Sequence, residues 1–75
     1  MTLNQLPVGE SATIRSVGGE DALRCRLLDM GLTPRTKVMI RKVAPLGDPI
    51  ELCLRDYELS IRLEDARKIE VEAVD

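Results

Sequence analysis

Short runs in which aliphatic and polar residues alternate cover most of this chain, and this pattern limits its fold more than any other feature. In the segment Ser11–Val17, Ala12 and Ile14 share one parity, and Thr13 and Arg15 take the other. Such alternation is typical of strands that bury one face. The same period recurs in a run that starts at Thr36 and in runs over residues 50–55, 57–62 and 69–72. We therefore predict five short β-strands.

Turn-forming residues separate these runs. The cluster Ala44–Pro49 contains two prolines and a glycine, which interrupt the alternation. Arg55 and Asp56 form a two-residue connection between the third and fourth strands. Because Asp tolerates a positive φ better than most residues, we expect Asp56 to supply the tight turn of this hairpin.

The segment Glu20–Met30 has a helical period instead. Leu23 and Leu27 lie one helical turn apart and, with the final Met, form one inward stripe. Gly31 follows the last periodic residue and suits the left-handed position that ends many helices. We therefore predict one short helix with a defined end, and a single helical turn over Leu63–Lys68 before the last strand.

A flat sheet of five short strands would leave two open edges, and closure into a small barrel removes them. Tight hairpins late in the chain and a helical turn before the final strand match the SH3-like barrel. We predict an all-β (mainly β) fold of about five strands, with one short helix after the first strand and a late helical turn. We expect this to be a single domain over residues 1–75.

The scarcity of aromatic residues and the overall charge balance disfavour nucleic-acid binding, and a local basic stripe is left open. Tyr57 is the only aromatic residue, and the formal net charge is -2. Stacking of single-stranded bases needs aromatic side chains, and phosphate backbones attract basic surfaces. We therefore expect no nucleic-acid partner.

The start of the chain lacks the basic and apolar regions of a signal peptide. No apolar run approaches the ~20 residues that a membrane-spanning helix requires. We expect a cytoplasmic location without direct insertion into a membrane.

The chain contains no histidine. The commonest general base is therefore absent, as are Ser/His and Cys/His nucleophile pairs. Gly18 and Gly19 lack the context of a phosphate-binding loop. The carboxylates of the predicted strands, Glu51, Glu58, Glu70 and Glu72, lie on the outward parity, which favours a solvated face. We predict no enzymatic activity and no catalytic residues.

Cys25 and Cys53 are too far apart in the sequence to form the short-spaced pair of a structural zinc site. A disulfide is not expected in the reducing cytosol. We interpret the thiols as small hydrophobic or incidental surface groups. We therefore predict neither a cofactor nor a metal-ligating residue, and weak binding of Fe²⁺ or another divalent metal is left open.

Two residues near the end of the predicted helix depart from the simple pattern. Leu28 lies off the inward stripe, so it either packs under the loop at residues 45–49 or faces a partner. Asp29 lies in the last turn, where the helix dipole disfavours an anion. Either Arg26 or Arg35 pairs with this carboxylate, or Asp29 belongs to a special site.

The segment Pro45–Pro49 places an apolar side chain in a stiff loop. Its two prolines fix φ at both ends, and Gly47 supplies a permissive joint. Leu46 follows no strand parity, so it either folds back over an open end of the barrel or is presented to a partner. A preordered loop of this kind loses little conformational entropy on binding.

These same stretches resemble the FeoA family of ferrous iron transport accessory proteins. The similarity extends over about residues 6–71, in the order and spacing of the family. The chain departs from the family in two turns, where Asp56 and Arg35 stand at positions that are often glycine. The stretches that carry the resemblance are Arg26–Pro34, Ala44–Ile50 and Tyr57–Arg62, together with Ala66.

The resemblance implies an SH3-like barrel in the cytosol, without catalysis. It also implies association with FeoB, the membrane ferrous iron transporter that carries a cytosolic GTP-binding domain. The same domain type resembles the C-terminal module of iron-dependent repressors of the DtxR kind, so a small divalent-metal-binding sensor or regulator is the alternative. A third hypothesis is stimulation of GTP hydrolysis by an exposed arginine, namely Arg24, Arg26 or Arg35.

We therefore predict a non-enzymatic accessory protein of ferrous iron uptake that docks on an FeoB-type transporter and modulates it. Weak self-association of the chain is left open. The candidate partner-binding residues are Arg26, Leu28, Asp29, Met30 and Gly31 at the helix end and Pro45, Leu46, Gly47, Asp48 and Pro49 in the loop.

Overall fold

Five short strands form one antiparallel sheet in a computed structural model that describes residues 1–73. The order of the strands across the sheet is β4-β3-β2-β1-β5, so every connection except the last joins neighbours. The elements are a 3₁₀ turn at Leu3–Gln5, β1 at Ser11–Val17, α1 at Asp21–Asp29, β2 at Lys37–Val43, β3 at Ile50–Leu54, β4 at Tyr57–Ile61, α2 at Leu63–Ala66 and β5 at Ile69–Ala73. The predicted strands and helices are confirmed.

Two irregularities bend the long strands of the sheet. The pairing of β1 with β5 shifts register at Arg15, and the pairing of β2 with β3 shifts at Arg41. An extra residue on one strand increases the local twist and bends that strand. These bends curl the five-stranded sheet into the SH3-like barrel that the alternation predicts.

The core is aliphatic, as the near absence of aromatic residues requires. On β3, Ile50, Leu52 and Leu54 are buried, while Glu51 and Cys53 between them are half-buried on the outer face. Leu27 of α1 is buried against the same core. The 3₁₀ turn adds to it as well, because Leu3 is fully buried.

The end of α1 follows the prediction closely. Gly31 has a φ of 96°, in the left-handed region. The amide of Leu32 donates to the carbonyl of Leu27 at 3.2 Å, and the amide of Gly31 donates to the carbonyl of Leu28 at 3.0 Å. These two bonds are those of the Schellman motif, which satisfies carbonyls that the helix end would leave unpaired.

The hairpin between β3 and β4 differs from the prediction in one respect. Leu54 pairs with Tyr57, so the connection has two residues as expected. The residue with positive φ is Arg55, at 53°, and not Asp56. The twist of the flanking strands favours two-residue turns whose first central residue has a positive φ, and this geometry outweighs the local preference of Asp.

Among residues 1–73, no helix is long and apolar enough to cross a membrane.

Candidate partner-docking surface

The loop at Pro45–Pro49 is closed by backbone hydrogen bonds at its base and within its turn. The amide of Gly47 donates to the carbonyl of Ala44 at 2.7 Å, which forms a β-turn with Pro45 and Leu46 at its centre. Proline at the second position and glycine at the fourth suit such a turn. The amide of Ala44 donates to the carbonyl of Pro49 at 3.0 Å and closes the base. The sequence therefore gives this loop a defined shape.

Leu46 lies at the tip of this turn and points into solvent. It is 96% exposed, whereas the other exposed large hydrophobic residues, such as Val8 at 58%, keep more of their surface covered. The interpretation in which Leu46 folds back over the barrel is therefore wrong. Val43, at the end of β2 beside the loop, is also partly exposed, at 37%. The loop thus presents an apolar side chain that the core does not use.

Asp48 attaches the loop to α2. Its Oδ1 accepts a hydrogen bond from the amide of Leu63 at 2.9 Å. Leu63 is the first residue of α2, so this amide has no acceptor within the helix. The carboxylate therefore acts like an N-cap supplied by a distant part of the chain, and it limits the movement of the loop.

Replacing Asp48 with alanine is expected to lower the free energy of unfolding by about 1 kcal/mol, because the amide of Leu63 loses its acceptor. Asp48→Asn keeps an oxygen at the same place and should lose less than half of that amount. Urea denaturation of both variants measures the difference. Equal stability of Asp48→Ala and the wild type would contradict this role for Asp48.

Arg26 forms an ion pair with Asp65, whereas one of the alternatives from the sequence paired it with Asp29. Its Nη2 lies 3.7 Å from Oδ2 of Asp65, and Nε of Arg62 lies 3.4 Å from the same oxygen. The side chain of Asp65 is only 8% exposed, so both arginines offset the cost of burying its charge. The pairing of Asp29 with Arg26 or Arg35 is therefore wrong. In the part of the chain that the structure describes, Asp29 is exposed and makes no ion pair.

The other candidates at the helix end are used mainly within the fold. Leu28 and Met30 are half-buried and pack against the core, which favours the packing interpretation of Leu28. The hydroxyl of Tyr57 donates to the carbonyl of Met30. Gly31 leaves the space that this hydroxyl occupies, since a Cβ there would collide with the oxygen of Tyr57. These contacts fix the helix end on β4.

The two predicted regions both contact α2. Asp48 binds the start of α2, and Arg26 binds Asp65 within it. The loop residues are the more accessible of the two sets. We therefore define the candidate docking surface as the Pro45–Pro49 loop with Leu46 at its tip, and treat Arg26, Met30 and Gly31 as residues that support it.

The two thiols lie on different elements of the fold. Cys25 is exposed on α1, and Cys53 is half-buried on β3. Residues 1–73 contain no group of three or more Cys, Asp or Glu side chains placed to hold a metal ion.

Sequence reasoning missed a second surface feature, a groove on the outer face of the sheet. Arg35, Lys37 and Arg55 line it together with neutral residues of β1, β2 and β3. The signal that could have found it is the placement of arginine at two turn positions that favour glycine. Nothing in the linear sequence shows that the two turns lie beside the same groove.

The curled five-stranded sheet and the stiff apolar loop define a small SH3-like domain. The family model described as the FeoA domain matches residues 1–73. The chain belongs to the FeoA family.

Comparison with individual proteins agrees with this assignment. The chain is 40% identical over 74 residues to the Fe(2+) transport protein A/Fe(2+) transporter FeoB fusion protein of Porphyromonas gingivalis, and it spans 99% of its own length but 9% of that relative. The solution structure of the FeoA protein from Chlorobium tepidum superposes with a TM-score of 0.93 at 39% identity, covering all of this chain and 71% of that one. The FeoA of Stenotrophomonas maltophilia, crystallised with zinc, superposes with a TM-score of 0.84 at 28% identity, covering 96% and 89% of the two chains.

Proposed function

We propose that this chain is a non-enzymatic accessory protein that docks on the cytosolic side of an FeoB-type ferrous iron transporter and modulates the entry of Fe²⁺. The FeoA family and the fusion of one relative to a transporter support ferrous iron transport as the process. We assign the contact with the transporter to the Pro45–Pro49 loop.

The observation that carries this proposal is the 96% exposure of Leu46. Hydrogen bonds hold the loop on both sides of this residue. An aliphatic side chain of this size gains about 1.5–3 kcal/mol when a partner covers it. Because the loop is already ordered, little of that gain is lost in fixing its conformation. An exposed leucine on a rigid turn is therefore well suited to insert into an apolar pocket.

The fused relative supports the choice of partner. In that protein, a domain similar to this chain is part of the same polypeptide as an FeoB transporter. Linking two binding modules raises their effective concentration without any new contact. We assign the affinity of this domain for the transporter mainly to the loop.

Transport by the purified transporter in lipid vesicles tests the proposal. Uptake of Fe²⁺ is measured under reducing conditions while the chain is added in increasing amounts. We expect the rate of uptake to change and then to level off, as it does when a partner saturates a site. A rate that stays constant over the whole range would contradict modulation by this chain.

A further inference from the structure

The groove on the outer face of the sheet has a neutral centre. On that face, Ser11 of β1 pairs with Met39 of β2, and Met39 pairs with Cys53 of β3. All three residues line the groove, whose volume is about 520 Å³. Two spacings between strands amount to about 10 Å, which is the length of roughly three residues of an extended chain. The groove therefore has room for a short peptide segment that crosses the strands.

Basic side chains lie at one end of this centre, and Glu58 of β4, the cross-strand neighbour of Cys53, pairs with Arg41. Arg35, Lys37 and Arg55 line the groove and are exposed, and the residues that line it include no carboxylate. Within residues 1–73, the cations that form ion pairs lie elsewhere: the amino terminus, Arg15, Arg26, Arg41, Lys42 and Arg62. The groove thus has a local positive charge in a chain whose net charge is -2.

The two arginines occupy unfavourable backbone conformations. Arg35 has a φ of 75° and Arg55 a φ of 53°, and in residues 1–73 no other residue except glycine has a positive φ. The amide of Thr36 donates to the carbonyl of Thr33 at 3.1 Å. Residues 33–36 therefore form a turn in which Arg35 is the third residue, directly after Pro34. A positive φ at this position favours glycine or asparagine. Both arginines therefore cost stability and place a guanidinium beside the same groove.

We propose that this groove binds a short, extended, acidic segment of the transporter. Guanidinium groups match carboxylates in a two-pronged geometry, and the half-buried Met39 offers an apolar contact for a side chain between them. This inference rests on the proposed function, since it names the chemistry of a second contact with the same partner. Nucleic acid is disfavoured because the chain is acidic overall and Tyr57 is its only aromatic residue.

The groove and the loop lie at opposite ends of β2. Lys37 begins this strand at the groove, and Val43 ends it beside the loop. Six residue steps at about 3.3 Å place these ends about 20 Å apart. A partner of the size of a transporter domain can contact both, with Leu46 supplying apolar contact and the groove supplying charge.

The equilibrium affinity of the full chain for the intact purified transporter tests the groove. We expect the combined variant Arg35→Gly and Arg55→Gly to bind roughly tenfold more weakly, because it loses two charge-assisted contacts. Raising the salt concentration to about 0.3 M should weaken the wild type much more than this variant. Because glycine tolerates a positive φ, the Tm of the variant should equal or exceed that of the wild type.

A matched control removes an exposed cation outside the groove. Arg67→Gln changes the net charge by one unit, is not part of the groove, and should bind within twofold of the wild type. The groove is overturned if the double glycine variant binds as well as the control. Absence of any binding by the wild type would overturn the proposed function instead. If a substitution at Leu46 weakens binding and the double glycine variant does not, the proposed function is supported and the groove proposal is overturned.

Discussion

Replacing Gly31 with alanine is expected to lower the free energy of unfolding by about 2–3 kcal/mol, which corresponds to a fall in Tm of roughly 8–20 °C in a domain of this size. Two costs add at this position. A residue with a Cβ is strained at a φ of 96° by about 1–2 kcal/mol. The new Cβ also collides with the hydroxyl at the end of the exposed Tyr57 side chain, which has to move, and we expect its bond to the carbonyl of Met30 to be lost.

Two comparisons separate these costs. Gly47 has a similar φ of 88° but no atom near the position of a Cβ, so Gly47→Ala should show the strain alone, about 1–2 kcal/mol. In a Tyr57→Phe background the colliding oxygen is absent, and Gly31→Ala should then cost nearly the same as Gly47→Ala. Thermal or urea unfolding of the four variants gives the values. Equal costs for the two glycines in the wild-type background would contradict the packing of Tyr57 on the helix end.

Replacing Leu46 with serine is expected to weaken binding to the transporter by about 10- to 100-fold, because the transfer of one leucine side chain from water contributes about 1.5–3 kcal/mol. The same change should alter the free energy of unfolding by less than about 0.5 kcal/mol, since the side chain is 96% exposed and has no core contacts to lose. A large loss of affinity without a loss of stability is the signature of a side chain that serves a partner.

The control for this prediction is Val8→Ser. Val8 is also aliphatic and 58% exposed, but it lies in the segment before β1 and not in the loop. The Val8→Ser substitution should leave the free energy of unfolding and the affinity for the transporter nearly unchanged. In the vesicle assay, transport should respond to the Val8→Ser chain as to the wild type and should respond to the Leu46→Ser chain only at much higher concentrations. Equal responses to the two variants would remove Leu46 from the docking surface.

The fold of this chain could be predicted because its signals are local. Period-two alternation depends only on neighbouring residues, and it located all five strands. The end of α1 could be predicted because Gly31 and the apolar residue after it are the local signature of a Schellman motif. The hairpin at Arg55 and Asp56 was located by the same means. Which residue of this hairpin takes the positive φ could not be predicted, because the twist of the strands determines it.

The contacts of the candidate site depend on residues that are distant in the sequence. Arg26 of α1 pairs with Asp65 of α2 and not with Asp29. No local sequence pattern links these two elements. The contact between Asp48 and the amide of Leu63 is equally non-local. The exposure of Leu46 could be given only as one of two alternatives, because its burial depends on the shape of the barrel beneath it. The basic groove arises where two turns approach each other in the folded sheet.

We infer that the arrangement of these features suits the proposed docking on a transporter. The bulged, curled sheet is a rigid frame, and its sequence uses nearly all large aliphatic residues to build the core. Leu46 is the one large aliphatic side chain among residues 1–73 that is almost completely exposed. Hydrogen bonds at the base of the loop and at α2 hold that side chain away from the frame. We infer that the frame serves to present the loop.

The most direct measurement of the central claim is photochemical crosslinking from the loop. A photoreactive amino acid replaces Leu46 in one chain and, as a control, Ala22 in another, since Ala22 is exposed on the first turn of α1. Each chain is produced in cells that contain the intact transporter, and the cells are irradiated. The account predicts that the transporter is captured from position 46 and not from position 22. Capture of the transporter from position 22 alone, or from neither position, would contradict docking through the loop.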